Sequence, residues 1–311
     1  MSMRLPFFNS NHFRTAVIAL IVANIIWGAA PPIFKWALQD IQPFTLAFLR
    51  FFIAAILILP FAYKHLAIKK EDIAEVFLIG FLGVVLNITF FFFGLKYAPS
   101  INASIIGSAG PIFLILFAFL FLREKPKKRV IAGSIIGLMG VLVIMFKPLL
   151  SAEPNLDLLG NAFFFIAMLG GLGHIIIGRQ LLKKYEPLGL TFWSFFIGTL
   201  FFLPFFINEN LNQTFLSNIT IPVIVGVSFG AILCSTLAYF LFFWALKYMP
   251  ASETGVFVYL DPIVTVLIAL PLLGEAPDTF YYIGSLFVFF GIYVAEGRLH
   301  YHPLHLLGRK K

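Results

Sequence analysis

The tetrapeptide Lys96-Tyr97-Ala98-Pro99 returns later in the chain as Lys247-Tyr248-Met249-Pro250, a displacement of 151 residues. The same displacement pairs Pro111 with Pro262, Glu124 with Glu275 and Pro126 with Pro277. It then pairs Gly133, Ser134 and Gly140 with Gly284, Ser285 and Gly291, with no gap between. Shared apolar composition yields scattered coincidences of Leu and Phe, not an aligned series of prolines, glutamates and glycines. Earlier in each copy the displacement is 144, matching Lys35 with Arg179 and Pro43 with Pro187. A seven-residue difference in loop length accounts for the change. The chain is a duplicated unit.

Composition says where the unit lives. Hydrophobic residues make up 60% of the 311 residues and charged residues 12%, against roughly 45–50% and about 25% in soluble chains. A soluble fold of this size has no core large enough for that apolar surface, including 40 phenylalanines. A spanning helix needs about 20 mostly apolar residues. Segments meeting that test run over 15–37, 43–63, 73–95, 99–122, 130–147, 158–180, 188–207, 220–246, 251–273 and 279–297. In lipid each segment must satisfy its own backbone, so helices are expected rather than strands. The predicted fold is an all-α integral membrane protein of ten transmembrane helices. Five lie in a first repeat (15–147) and five in a second (158–297), with tails 1–14 and 298–311. The first apolar stretch is not followed by an A-x-A-like cleavage site, which predicts a retained helix rather than a cleaved signal.

Charge tests the count. With a cytoplasmic N-terminus, ten spans put Lys35, Lys96 and Lys147 on the outer side and Arg50 within a span, and every other Lys and Arg on the cytoplasmic side. That asymmetry follows the positive-inside rule and places both tails in the cytoplasm of a cell with a plasma (inner) membrane. The formal charge of +8 therefore marks short cytoplasmic loops, not a nucleic-acid face. The single cysteine, Cys234, falls in an apolar segment and reads as packing. An odd number of helices per repeat turns the second repeat upside down relative to the first. Inverted repeats are characteristic of secondary transporters, in which a substrate site near mid-membrane is reached alternately from each side.

Several stretches carry a family resemblance: Ile26-Trp27-Gly28-Ala29-Ala30-Pro31-Pro32-Ile33-Phe34-Lys35-Trp36-Ala37-Leu38, and Pro43 followed by Leu46-Ala47-Phe48-Leu49-Arg50-Phe51. Ala103-Ser104-Ile105-Ile106, Pro111 and Phe121-Leu122-Arg123-Glu124 belong with them, and Leu260-Asp261-Pro262 with Leu273-Gly274-Glu275 repeats the pattern. The chain resembles the EamA family of the drug/metabolite transporter superfamily over nearly its whole length. The resemblance implies two inverted five-helix repeats around a central cavity lined by helices one, three, four, six, eight and nine. It also implies transport of small molecules, with amino-acid export frequent among members. One departure is Gly110 in the fourth helix where the ninth has Asp261.

Asp261 is the leading substrate or coupling candidate. A carboxylate near mid-membrane costs several kcal/mol unless paired, hydrated or protonated, and such groups usually serve function. It would bind a substrate ammonium group or carry a coupling proton; a fixed interhelical hydrogen bond is the bland alternative. His174, beside Gly170, Gly171 and Gly173, is a candidate proton shuttle or a packing residue. Asn24, Trp27, Asn87, Asn102, Tyr239 and Tyr259 are candidate cavity residues, and each serves equally well as interhelical glue. Arg50 is read as a structurally paired arginine rather than a substrate clamp. Pro31, Pro32, Pro111 and Pro262 are expected kink or gating points, and Glu124 and Glu275 caps or anchors between repeats.

Nothing in the sequence supports an enzyme: it shows no phosphate-binding glycine loop, metal-ligand cluster or nucleophile–base pair. No cofactor, metal or nucleic acid is expected. The expected partners are the lipid bilayer and a small-molecule substrate, with proton coupling as one source of energy. The function read here is a secondary carrier or facilitator of amino-acid-like metabolites, acting as an exporter. An exporter of drugs or organic cations is the near alternative; a non-transporting membrane sensor or scaffold is the alternative from another class.

Overall fold

The computed structural model describes residues 10–113, 128–147, 156–211, 219–248 and 254–296. All regular structure among them is helical. The first copy contains α1 (Ser10–Ala37), α2 (Pro43–Ala62), α3 (Ile73–Gly80), α4 (Asn87–Tyr97), α5 (Ser100–Ser108) and α6 (Lys128–Phe146). The second contains α7 (Asp157–Leu181), α8 (Pro187–Glu209), α9 (Ile221–Ser228), α10 (Phe240–Tyr248), α11 (Asp261–Leu273) and α12 (Thr279–Glu296).

Among the described residues, six helical stretches are long and apolar enough to cross a membrane: Arg14–Ala37, Pro43–His65, Lys70–Tyr97, Asp157–Leu181, Pro187–Glu209 and Ile221–Tyr248. Shorter apolar helices cover Ile131–Phe146, Phe257–Leu273 and Thr279–Gly291. The expected span 99–122 is described only as far as 113, and Glu124 lies outside the described residues. Helix α1 begins at Ser10 rather than 15, because the helix outruns the apolar stretch that it carries. Prolines sit where helices tolerate them: Pro43 and Pro187 open α2 and α8, where the missing N–H would have no helical partner anyway.

Apolar side chains face both ways, as a lipid solvent requires. Phe34, Phe51, Phe92, Phe195, Phe202 and Phe243 are fully buried, while Ile18, Ile221, Leu267 and Leu286 stand on the outside. With no hydrophobic difference between lipid and core, helix association rests on close packing and hydrogen bonds.

The most extensive packing is between α6 and α12. A β-carbon on Gly140 would come within 2.5 Å of the Gly284 carbonyl oxygen and 2.7 Å of the Val288 nitrogen. One on Gly291 would come within 2.6 Å of the Gly133 oxygen and 2.4 Å of the Gly137 nitrogen. Displacing each residue by 151 turns the first pair of contacts into the second. The numbering runs in opposite senses along the two helices, so these equivalent helices cross antiparallel.

Helices α2 and α8 repeat this relation. The Glu209 carboxylate accepts from the Thr45 N–H (2.6 Å) and hydroxyl (2.8 Å), capping α2 from across the interface. At a displacement of 144, Thr45 becomes Gly189 and Glu209 becomes His65. A β-carbon on Gly189 would stand 2.2 Å from the His65 carbonyl oxygen.

Irregularities also recur. Helix α3 passes into α4 through a π-helical stretch, Phe81–Leu86, and α9 into α10 through another, Phe229–Tyr239. The helix carrying Pro111 breaks at Ala109, just past α5. The helix carrying Pro262 changes from a 3-10 turn, Gly255–Leu260, to α at Asp261. Ala109 and Leu260 are equivalent positions. By contrast, α1 runs as helix straight through Pro31 and Pro32.

Candidate functional site

The two π-helical stretches face each other near the middle of the bundle. A π turn widens the helix, frees a carbonyl and is common at functional sites. The Tyr239 hydroxyl donates to the Gly83 carbonyl at 3.3 Å. His174 Nδ1 lies 2.9 Å from the Ile79 carbonyl and, carrying the proton, donates to it. The imidazole stacks on Phe243 (4.9 Å) and meets Tyr239 edge-on (5.9 Å). Gly83 leaves the room: a β-carbon there would stand 2.1 Å from His174 Nδ1. His174 Nε2 is buried without a hydrogen-bond partner among the described residues.

Trp27 joins this cluster from α1. Its indole donates to the Cys234 carbonyl at 3.2 Å, and its rings lie 5.4 Å from Tyr239 and 5.2 Å from Phe242. Cys234 itself is fully buried. Arg50 enters from α2, donates through Nε to the Ser235 hydroxyl at 2.8 Å and lies between the Phe34 and Phe51 rings. Only 2% exposed, it is held by packing and cation–π contact.

Asp261 stands at the start of α11, against α1. Gly28 makes the approach possible, for a β-carbon there would meet the Asp261 backbone at 2.9 Å. The Thr265 hydroxyl sits between the Gly28 (2.6 Å) and Asp261 (2.8 Å) carbonyls and ties the two helices together. One carboxylate oxygen, Oδ1, is buried and has no hydrogen-bond partner among the described residues. Asn24, one turn from Gly28 on the same face of α1, donates to the Leu20 carbonyl at 2.7 Å and leaves its own buried Oδ1 without a donor. Two acceptor oxygens therefore wait at one helix interface in the middle of the bundle.

Room is left along α5, which packs against both α1 and α11. Helix α5 is buried along nearly its whole length, yet a β-carbon on Gly107 would meet nothing within 4 Å. At Gly110, the counterpart of Asp261, the nearest atoms stand 3.6 Å and 3.8 Å away. Gly107 is a site residue that the sequence reading misses; its equivalent, Val258, is larger, which is the only signal it leaves.

Other candidates are placed in helix contacts. Asn87 donates to the Ala167 carbonyl at 2.7 Å, joining α4 to α7. Asn102 donates to Asn161 at 2.9 Å, and Asn161 to the Ile144 carbonyl at 3.2 Å. Tyr259 packs edge-on against Phe289 at 6.1 Å.

Both ends of the bundle are closed by polar contacts between the copies. At one end Glu275 accepts from Lys35 (2.8 Å), the Ser100 N–H (2.7 Å) and hydroxyl (2.6 Å), and the Ile101 N–H (3.3 Å). At the other end Lys184 and the Tyr185 hydroxyl both donate to Asp72 at 2.6 Å. These hydrogen bonds to Asp72 are the main cause that raises the Lys184 ammonium and the Tyr185 phenol above their ordinary values.

A duplicated helical chain of this kind has known counterparts. The model of the EamA-like transporter family matches residues 14–146 and again 158–296, one match per copy. The chain belongs to the EamA-like transporter family.

This EamA-like chain is 28% identical over 288 residues to an uncharacterized transporter of Archaeoglobus fulgidus, covering 91% of this chain and 98% of that protein. It is 27% identical over 288 residues to the uncharacterized transporter YyaM of Bacillus subtilis, covering 90% and 93%. A solved structure titled "Crystal structure of protein" superimposes with a TM-score of 0.66 at 18% identity, covering 90% of this chain and 96% of that one. That likeness concerns the fold alone. The EamA-like chain is thus a multi-pass membrane transporter built from two repeats, which implies a bilayer and a small-molecule substrate.

Proposed function

We propose that this transporter is a secondary carrier of small amphipathic, amino-acid-like metabolites, acting as an exporter in the plasma membrane. It works by alternating access between two inverted five-helix repeats, ten spans in all, with both tails cytoplasmic. The antiparallel crossings of α6 with α12 and of α2 with α8 support the inversion. The observation that carries the substrate reading is the Asp261 oxygen, buried and without a donor among the described residues, at the α11 helix break against α1. A substrate ammonium group supplies the missing donors, and a proton supplies the missing neutralisation, so binding and coupling meet at one atom.

The test is flux of a labelled amino-acid mixture into proteoliposomes, with and without a pH gradient, for wild type and Asp261→Asn. Gradient-dependent flux reduced at least tenfold in the variant supports the reading. Unchanged flux, affinity and pH dependence remove Asp261 from the mechanism.

A second reading, export of organic cations, draws on the Trp27 and Tyr239 rings, whose faces suit a cation without N–H donors. A quaternary ammonium compound tested in the same vesicles separates the two, because it engages rings but cannot donate to Asp261.

A further inference from the structure

The Glu275 carboxylate belongs to the second copy, yet every group it holds belongs to the first. Oε1 pairs with Lys35 at the end of α1, and Oε2 accepts from the backbone and hydroxyl of Ser100 and from the Ile101 N–H, at the start of α5. Lys35 in turn donates to the Ala98 carbonyl at 2.7 Å, two residues before α5 begins. One carboxylate thus binds a loop of the second copy to two helices of the first. Gly274, in the left-handed conformation at φ 68°, ends α11 and delivers Glu275 to this position.

The outer side of this knot is open to water. A cavity of about 100 Å³, room for roughly three waters, is lined by Asn102, Lys147, Glu275, Asp278 and Tyr281 among others. Glu275 lines this cavity at the start of α5. Further along the same helix, a β-carbon on Gly107 would meet nothing within 4 Å.

Comparison with the α2·α8 contact separates a gate from a static tie. That contact is made at both of its ends at once, by Thr45 with Glu209 and by Gly189 with His65, so it does not distinguish two states. The Glu275 cluster is of another kind, an ion pair and hydrogen bonds made by one side chain of the second copy, which a change of rotamer can release.

We infer that Lys35, Glu275 and the first turn of α5 form the outer gate of the transporter, closed in this structure and broken whenever the pathway opens outward. The inference deepens the alternating-access reading and assigns its outer barrier to named atoms.

Two measurements test it, with Cys234 left in place because it is fully buried. In the first, a Gly107→Cys reporter is labelled with a membrane-impermeant thiol reagent from outside, and the protein without the reporter gives the background. Glu275→Ala, and separately Lys35→Ala, are expected to speed labelling on the order of tenfold; equal rates overturn the gate. This readout needs no substrate, so its failure is distinct from failure of the transport reading. In the second, Ser100→Cys and Glu275→Cys are joined by oxidation. Loss of flux by tenfold or more, recovered with a reductant, is the expected result. Full flux with the disulfide intact shows a static cap that never opens and overturns the proposal.

Discussion

Gly28 on α1 and Asp261 on α11 stand so close that a β-carbon at residue 28 would lie 2.9 Å from both the Cα and the carbonyl oxygen of Asp261. Those atoms are backbone and cannot swing aside. Gly28→Ala is therefore expected to push α1 from α11 and cost about 1–3 kcal/mol, the usual penalty for overpacking. Gly107→Ala, which meets nothing, is expected to be neutral or to stabilise by up to about 1 kcal/mol through helix propensity. Thermal unfolding of the two variants in detergent checks the contrast, which is lost if they melt alike.

His174 is expected to act through packing. Its Nδ1 is engaged by Ile79, and its ring fills the space that Gly83 leaves. His174→Gln should lower the melting temperature while the pH profile of flux between about 5 and 8, where histidine titrates, keeps its shape. A flattened profile would make it a proton carrier instead.

The Asp72 contacts predict a response to alkali. Lys184 and Tyr185 both bind protons more tightly in the fold than at their ordinary values of 10.5 and 10.0. A raised value means the contribution is fully present below the ordinary value and is lost as pH rises through the folded one. Asp72→Asn should therefore melt a few degrees below wild type at neutral pH, by a margin that narrows only above about pH 10. A constant margin up to pH 12 would contradict the assignment.

The seam between α6 and α12 predicts matched effects. Gly140→Ala and Gly291→Ala each drive a methyl into the backbone of the opposite helix, at 2.5 Å and 2.4 Å. Both should destabilise the protein by similar amounts, on the order of 2 kcal/mol, as read by denaturation in detergent. A large difference between them would mean that the two contacts are not equivalent.

Much of this was legible in the residues. Span ends agree closely with the helix ends that are described, because lipid fixes segment length and hydropathy reports it. Pro111 and Pro262 pointed to the breaks at Ala109 and Leu260, because a proline past the first turn removes a backbone donor, whereas Pro31 and Pro32 leave α1 helical. The polar residues were harder to read. Asn87 and Asn102 read in sequence equally as cavity residues or as interhelical glue, and the partners that engage them, Ala167 and Asn161, lie far along the chain. Gly107 was invisible because a missing side chain signals nothing until its surroundings are known. Glu275 read as a cap or an anchor between repeats; which groups of the other copy it holds is a fact of three dimensions.

The glycine crossing has a further consequence. Because Gly140·Gly284 and Gly133·Gly291 exchange under the duplication, the seam is an isologous interface of the kind that joins two identical subunits about a two-fold axis, here enclosed within one polypeptide. Such a patch is complementary to itself. Its two faces are already occupied by each other, and association with another copy would have to use a different surface.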